Sequence, residues 1–310
     1  MSYFIEAMTV FTRKIALLCR RSWRFLILGS VLFFLLATLK ENWQQAIAIR
    51  LDARSWQKLA IATVIILIAH TWSGWVWGKI LAQLDRPVSS TWAIRVYLKT
   101  NIAKYLPGNM WHFYGRIKAA QQQQIPWDCA TVSIFLETLL MAIAGLIIAL
   151  AYPTSYWLYQ LLLGAAIALT IHPQGLNPIL QFLTRLKLKN DAPTRSPTLK
   201  CYPLLSLLGE LLFLLCRGAG FYCIMLAITT INSQQILPLF SAFSAAWVLG
   251  LIVPGAPGGI GIFESTAIAL LGDTFTPGIV LGSVALYRLI NTLAEALGAL
   301  LAWGFEALKS

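Results

Sequence analysis

Leu251-Ile252-Val253-Pro254-Gly255-Ala256-Pro257-Gly258-Gly259-Ile260-Gly261-Ile262-Phe263-Glu264 is the stretch that decides how this chain is read. It lies inside an apolar segment, residues 237–272, whose flanks have helical composition and whose middle does not. Proline removes an amide donor and glycine frees the backbone, so a helix ends here and another begins. In hydrocarbon the freed polar groups must be covered by protein or by a water-filled cavity. The segment therefore predicts helix, break, helix, either as a re-entrant hairpin facing a cavity or as a kinked full span.

The surrounding sequence supplies the hydrocarbon. Of 310 residues, 58% are hydrophobic and 12% charged, and the mean hydropathy of +0.70 excludes a water-soluble core. Six runs have the length of a membrane span: residues 23–39, 59–84, 129–152, 156–171, 204–228 and 278–303. The first follows a basic cluster, but no small-x-small cleavage site follows it, so it reads as a retained helix and not a secretory signal. A second interrupted segment, residues 92–120, is centred on Tyr105-Leu106-Pro107-Gly108-Asn109 and predicts a first hairpin or, with its Arg95, Lys99 and Lys104, a surface-lying amphipathic helix.

The order span, span, hairpin, span occurs twice, in residues 23–152 and 156–303, and the two Pro-Gly breaks at Pro107-Gly108 and Pro254-Gly255 stand 147 residues apart. Three spans per unit would invert the second unit relative to the first. The expected fold is thus an all-α polytopic membrane protein, six transmembrane helices plus two re-entrant helical hairpins in two inverted repeats, within a single integral membrane domain over residues 1–310. Such an architecture places a site where the interrupted elements meet near the midplane. Residues 173–200 form the one long polar insertion, read as cytoplasmic, basic and attracted to anionic headgroups.

Lys plus Arg number 24 against 12 Asp plus Glu, a net charge of +12. With the N-terminus inside, 17 of the cations fall in inner segments and 4 in outer ones, which puts both termini on the cytoplasmic side of an inner or plasma membrane. No basic helix stands apart from the apolar segments, so nucleic acid is not an expected partner. Cys19, Cys129, Cys201, Cys216 and Cys223 show no CxxC or metal-ligand spacing and read as apolar fillers; no metal or cofactor is expected.

Ionisable side chains deep in apolar helices cost several kcal/mol and are functional candidates by default. They are Glu137, Glu210, Arg217, Arg288 and Glu295 in the spans and Glu264 after the second break. Glu210 and Arg217, like Arg288 and Glu295, are seven apart, about 10 Å along one helix face, so each needs a partner on another element or a wet cavity. Ion pairing that fixes helix packing is the competing role for Glu210 and Glu295. Tyr287, Arg288 and Asn291 set a phenol, a guanidinium and an amide within one helical turn, suited to a phosphate directly or through Arg288 orienting Glu264.

Gly258, Gly259 and Gly261 leave backbone amides at the start of a half-helix, whose positive end attracts anions; Pro257 precedes them. No Gly-Lys-Ser/Thr follows and no strand precedes, so neither a phosphate loop nor a dinucleotide fingerprint is present. In the first hairpin, Lys104 and Arg116, with Asn101, Asn109, His112 and Tyr114, would guide an anionic headgroup from the cytoplasm or simply snorkel to the interface. His70, His112 and His172 have no HxxxH or acid–base set around them in sequence, which reads as hydrogen-bonded structural histidine.

Pro257-Gly258-Gly259-Ile260-Gly261-Ile262-Phe263-Glu264, followed by Ala285-Leu286-Tyr287-Arg288-Leu289, resembles the C-terminal signature of the lysylphosphatidylglycerol-synthase transmembrane family, also called flippase-like. Tyr105-Leu106-Pro107-Gly108 looks like that family's first-hairpin motif. The resemblance implies a lipid-translocating or polyprenyl-lipid-handling membrane domain and implicates Pro107, Gly108, Pro257, Gly258, Gly259, Gly261, Glu264 and Arg288. Some members carry a soluble aminoacyl-transferase domain; these 310 residues hold none, so lysyl transfer is not expected of them.

The functional expectation is a flippase-like transporter of an anionic lipid or lipid-linked sugar, with membrane lipids and a glycosyltransferase or lipid-synthesis enzyme as partners. The other readings are a membrane enzyme or enzyme subunit of lipid synthesis, for which no HExxH, GxSxG or Asp-rich motif is present, and an anion channel. Without a Walker motif, ATP would not drive transport directly; proton coupling through Glu137, Glu210 or Glu264 and passive equilibration both remain.

Overall fold

The computed structural model describes residues 52–106, 110–152, 176–178, 199, 202–252 and 261–307. The expected spans 23–39 and 156–171, nearly all of the insertion 173–200, and the break residues Pro107, Gly108, Asn109, Pro257, Gly258 and Gly259 lie outside these.

Among the described residues the chain is helical throughout, without strands. The helices are α1 (Ala53–Gln83), α2 (Ser90–Asn101) running into a 3-10 turn (Ile102–Tyr105), α3 (Trp111–Gln122), α4 (Trp127–Ala149), α5 (Leu204–Ile228), α6 (Ser233–Ile252), α7 (Ile262–Leu271) and α8 (Pro277–Ala307). By length and composition α1, α4, α5, α6 and α8 are able to cross a membrane. Four of them coincide with expected spans. The fifth, α6, was expected as the first limb of the second hairpin, yet it runs for 20 residues. Pro238 falls in its second turn, where the missing amide forfeits one hydrogen bond without ending the helix. Among the described residues a helix flanks each interruption on both sides, α2 and α3 each 12 residues long about the first, α6 and the 10-residue α7 about the second.

Local sequence sets the ends. The Asp52 side chain accepts from Ser55 N at 2.7 Å and Ser89 Oγ from Trp92 N at 3.3 Å, capping α1 and α2. α7 opens on Gly261 at φ +85°, a left-handed conformation that glycine adopts without strain.

α1 and α5 form the centre and run antiparallel. Ser55 Oγ donates to Ala227 O at one end (2.8 Å), Trp72 Nε1 to Gly209 O further along (2.9 Å), and Ser206 Oγ to Gln83 Oε1 at the other end (2.9 Å). Small residues permit this approach: a Cβ on Gly220 would come within 2.6 Å of Ile66 Cγ1. The outer faces are apolar and exposed, with Ile61, Val64 and Ile68 in one row on α1 and Leu208, Leu212 and Leu215 in one on α5. In water such rows are a liability, whereas in lipid they are the ordinary outer surface.

The helix contacts come in mates when α1, α2, α3 and α4 are exchanged for α5, α6, α7 and α8. α1 packs on α2 as α5 does on α6, α2 on α3 as α6 on α7, and α3 on α4 as α7 on α8. Across the halves, α8 meets α1, α2 and α5 as α4 meets α5, α6 and α1, and the central α1–α5 contact is its own mate.

Candidate functional site

The ionisable groups gather in three clusters. In the first, Glu264 lies in the opening turn of α7, where Oε2 accepts from Gly261 N (2.7 Å) and Oε1 accepts from Arg288 Nε of α8 (2.7 Å). Gly261 thus fixes the carboxylate through its backbone, and the carboxylate fixes one edge of the guanidinium. Both side chains keep some exposure, 22% and 14%.

The second cluster joins α3 to α4. Arg116 Nη1 donates to Glu137 Oε2, and the guanidinium lies over the rings of Tyr97 (4.7 Å), Phe113 (5.5 Å) and Trp77 (5.7 Å). This cage buries Arg116, so it does not snorkel to an interface. Glu210 of α5 is fully buried, and its electrostatic neighbours are Glu137 and Arg116. The first two clusters share a plan: each ties the short second helix of an interrupted segment to the long helix that follows, with the charges exchanged.

The third cluster draws on α1, the 3-10 turn and α8. Glu295 Oε1 receives Lys104 Nζ at 2.5 Å, Asn291 Nδ2 at 2.9 Å and His70 Nε2 at 3.1 Å. His70 Nε2 also lies 3.1 Å from Asn291 Oδ1, while Asn101 Nδ2 approaches Nδ1 at 3.4 Å. Two acceptors at Nε2 and a donor at Nδ1 select the imidazole tautomer protonated at Nε2. Beside it Arg217 of α5 donates through Nε (2.8 Å) and Nη2 (2.5 Å) to the Tyr287 hydroxyl.

Tyr287, Arg288 and Asn291, adjacent on one turn of α8, therefore serve three different partners, Arg217, Glu264 and His70 with Glu295. Of the charges spaced by seven, Arg217, Arg288 and Glu295 each answer to another helix, while Glu210 has no hydrogen-bond partner among the described residues. What the sequence concealed is the acid–amide setting of His70, because Asn291 lies 221 residues away. Equally hidden is the aromatic wall behind Tyr287: Phe263 stacks on it with centroids 6.1 Å apart at 13°, and Phe243 meets it edge-on at 5.3 Å.

The helices capable of crossing a membrane and the charges held among them define an all-α, multi-pass membrane protein. Compared with models of known protein families the chain matches none, and it matches none of the curated proteins.

Proposed function

We propose that this protein is a flippase-like translocator of an anionic lipid, phospho- or polyprenyl-linked, across the cytoplasmic membrane, with both termini cytoplasmic. The observation that carries the proposal is a local excess of cations among the described residues, with Arg217 buried and Lys104 and Arg288 partly so. Among the described residues Lys104 lies within electrostatic reach of both Arg217 and Arg288, with Glu295 holding Lys104 and Glu264 holding Arg288. An uncompensated positive charge in apolar surroundings is unfavourable, and a phosphate-bearing headgroup relieves it through charge-assisted hydrogen bonds. Arg288 holds Glu264 through Nε, and a headgroup phosphate would take over that edge while the acyl chains stay against the exposed leucine rows.

In this reading the two series of helices are inverted repeats, with α2–α3 and α6–α7 as hairpins entering from opposite sides. The paired helix contacts, the antiparallel α1 and α5 and the 147-residue spacing of the Pro-Gly breaks support it. The resemblance to the flippase-like family points the same way.

Mass spectrometry of the lipids retained by the purified protein tests the proposal, with wild type and Arg288→Ala compared against the bulk membrane extract. Enrichment of one phosphate-bearing lipid, lost in Arg288→Ala, is the expected result. Bulk-like lipid in both samples, together with anion current across a planar bilayer, would replace the translocator by a channel.

A further inference from the structure

Glu210 sits at the middle of the bundle with neither carboxyl oxygen hydrogen-bonded among the described residues, and Glu137 Oε1 beside it is likewise unpartnered. Both side chains are buried, Glu210 at 0% exposure and Glu137 at 1%. Among the described residues one cation, Arg116, faces the two carboxyl groups, and its hydrogen bond goes to Glu137.

Among the described residues the other helices packed on α5 bring no second cation to Glu210. α6 carries no titratable side chain. On α1, His70 is turned to Glu295 and Asn291, and Lys79 lies over the Trp75 ring at 5.1 Å. On α8, Tyr287 is engaged by Arg217, Arg288 by Glu264, and Glu295 by Lys104. Tyr97 of α2, which also senses Glu210 and Glu137, accepts from Ser73 Oγ at 2.9 Å and is neutral as a phenol.

We propose that Glu210 is a proton-binding site, occupied as the neutral carboxylic acid in this conformation. A lone buried carboxylate with no counter-ion and no donor costs several kcal/mol, and taking up a proton removes that cost. Arg116 neutralises one of the two carboxylates, so the other carries the proton. When the proton leaves Glu210, two carboxylates share one guanidinium, and Arg116 loosens its hold on Glu137 and with it the tie between α3 and α4. Proton occupancy is thereby coupled to the position of the first hairpin. The inference deepens the translocator reading by naming a coupling ion, and its test does not depend on lipid handling.

Infrared spectroscopy of the full chain in lipid vesicles at pH 7 measures the occupancy directly. Wild type is expected to show the carbonyl stretch of a protonated carboxylic acid, and Glu210→Gln is expected to lose it. Glu210→Gln should also melt at the wild-type temperature or above, because the amide mimics the neutral acid. Absence of the band in wild type, its persistence in Glu210→Gln, or a melting point lowered by the amide would each overturn the site. Failure of the lipid-retention experiment with the band present would leave the proton site standing and remove only the lipid reading.

Discussion

Arg288 Nε lies 2.7 Å from Glu264 Oε1 and ties α8 to α7, while Arg116 ties α3 to α4 by holding Glu137. The two links occupy corresponding places in the mated halves, with acid and base exchanged. Under the inverted-repeat reading they are two latches, one on each hairpin, whose alternate opening would expose the interior to opposite sides.

If the latch is electrostatic, its polarity should be reversible. Glu264→Arg and Arg288→Glu, made singly, each place like charges together and should cost about 2–5 kcal/mol. The double variant should recover more than half of that loss in thermal melting. A double variant no more stable than the singles would show that the surroundings recognise each residue separately.

The Arg116–Glu137 link is more deeply buried, so breaking it should cost more. Glu137→Ala leaves Arg116 in its aromatic cage without a counter-ion, and a loss of about 3–5 kcal/mol is expected. Arg116→Lys should also lower the melting temperature, since the planar guanidinium stacking on Tyr97 at 4.7 Å has no equivalent in an ammonium. Melting temperatures of both variants in one detergent decide the matter, and a Glu137→Ala protein as stable as wild type would mean that Glu210 takes over Arg116.

His70 marks the limit of what could be read from sequence. Four of the six expected spans, the helices flanking the two interruptions and the unusual charges were legible because each shows in the local composition. Partners were not, since Glu295 meets Lys104 from 191 residues away and Arg217 meets Tyr287 from 70. The length of α6 also escaped, because the segment 237–272 reads from its central break, whereas the helix starts earlier, at Ser233, and Pro238 costs it only one bond so near the start. A structural test follows for His70. Substitution by Phe keeps the ring but removes the Nε2 donor from Glu295 and Asn291, and should cost about 1–3 kcal/mol. His70→Gln, which restores a donor, should cost less, and equal effects would make the imidazole a mere space-filler.

Gly74 controls how closely α2 approaches α1, and through α2 the cage around Arg116. A Cβ at Gly74 would lie 2.8 Å from Ile94 Cα and 2.9 Å from Tyr97 Cβ, so Gly74→Ala meets backbone that cannot rotate away. α2 must shift, carrying with it the Tyr97 ring that covers the guanidinium and the hydroxyl that accepts from Ser73. Overpacking of this kind should destabilise by about 1–3 kcal/mol. Gly304 is the matched control, since nothing lies within 4 Å of a Cβ placed there. Alanine at position 304 should leave melting unchanged or raise it slightly, through the better helix propensity of alanine. If Gly74→Ala melts like Gly304→Ala, the α1–α2 approach is slack and Arg116 is held by Glu137 alone.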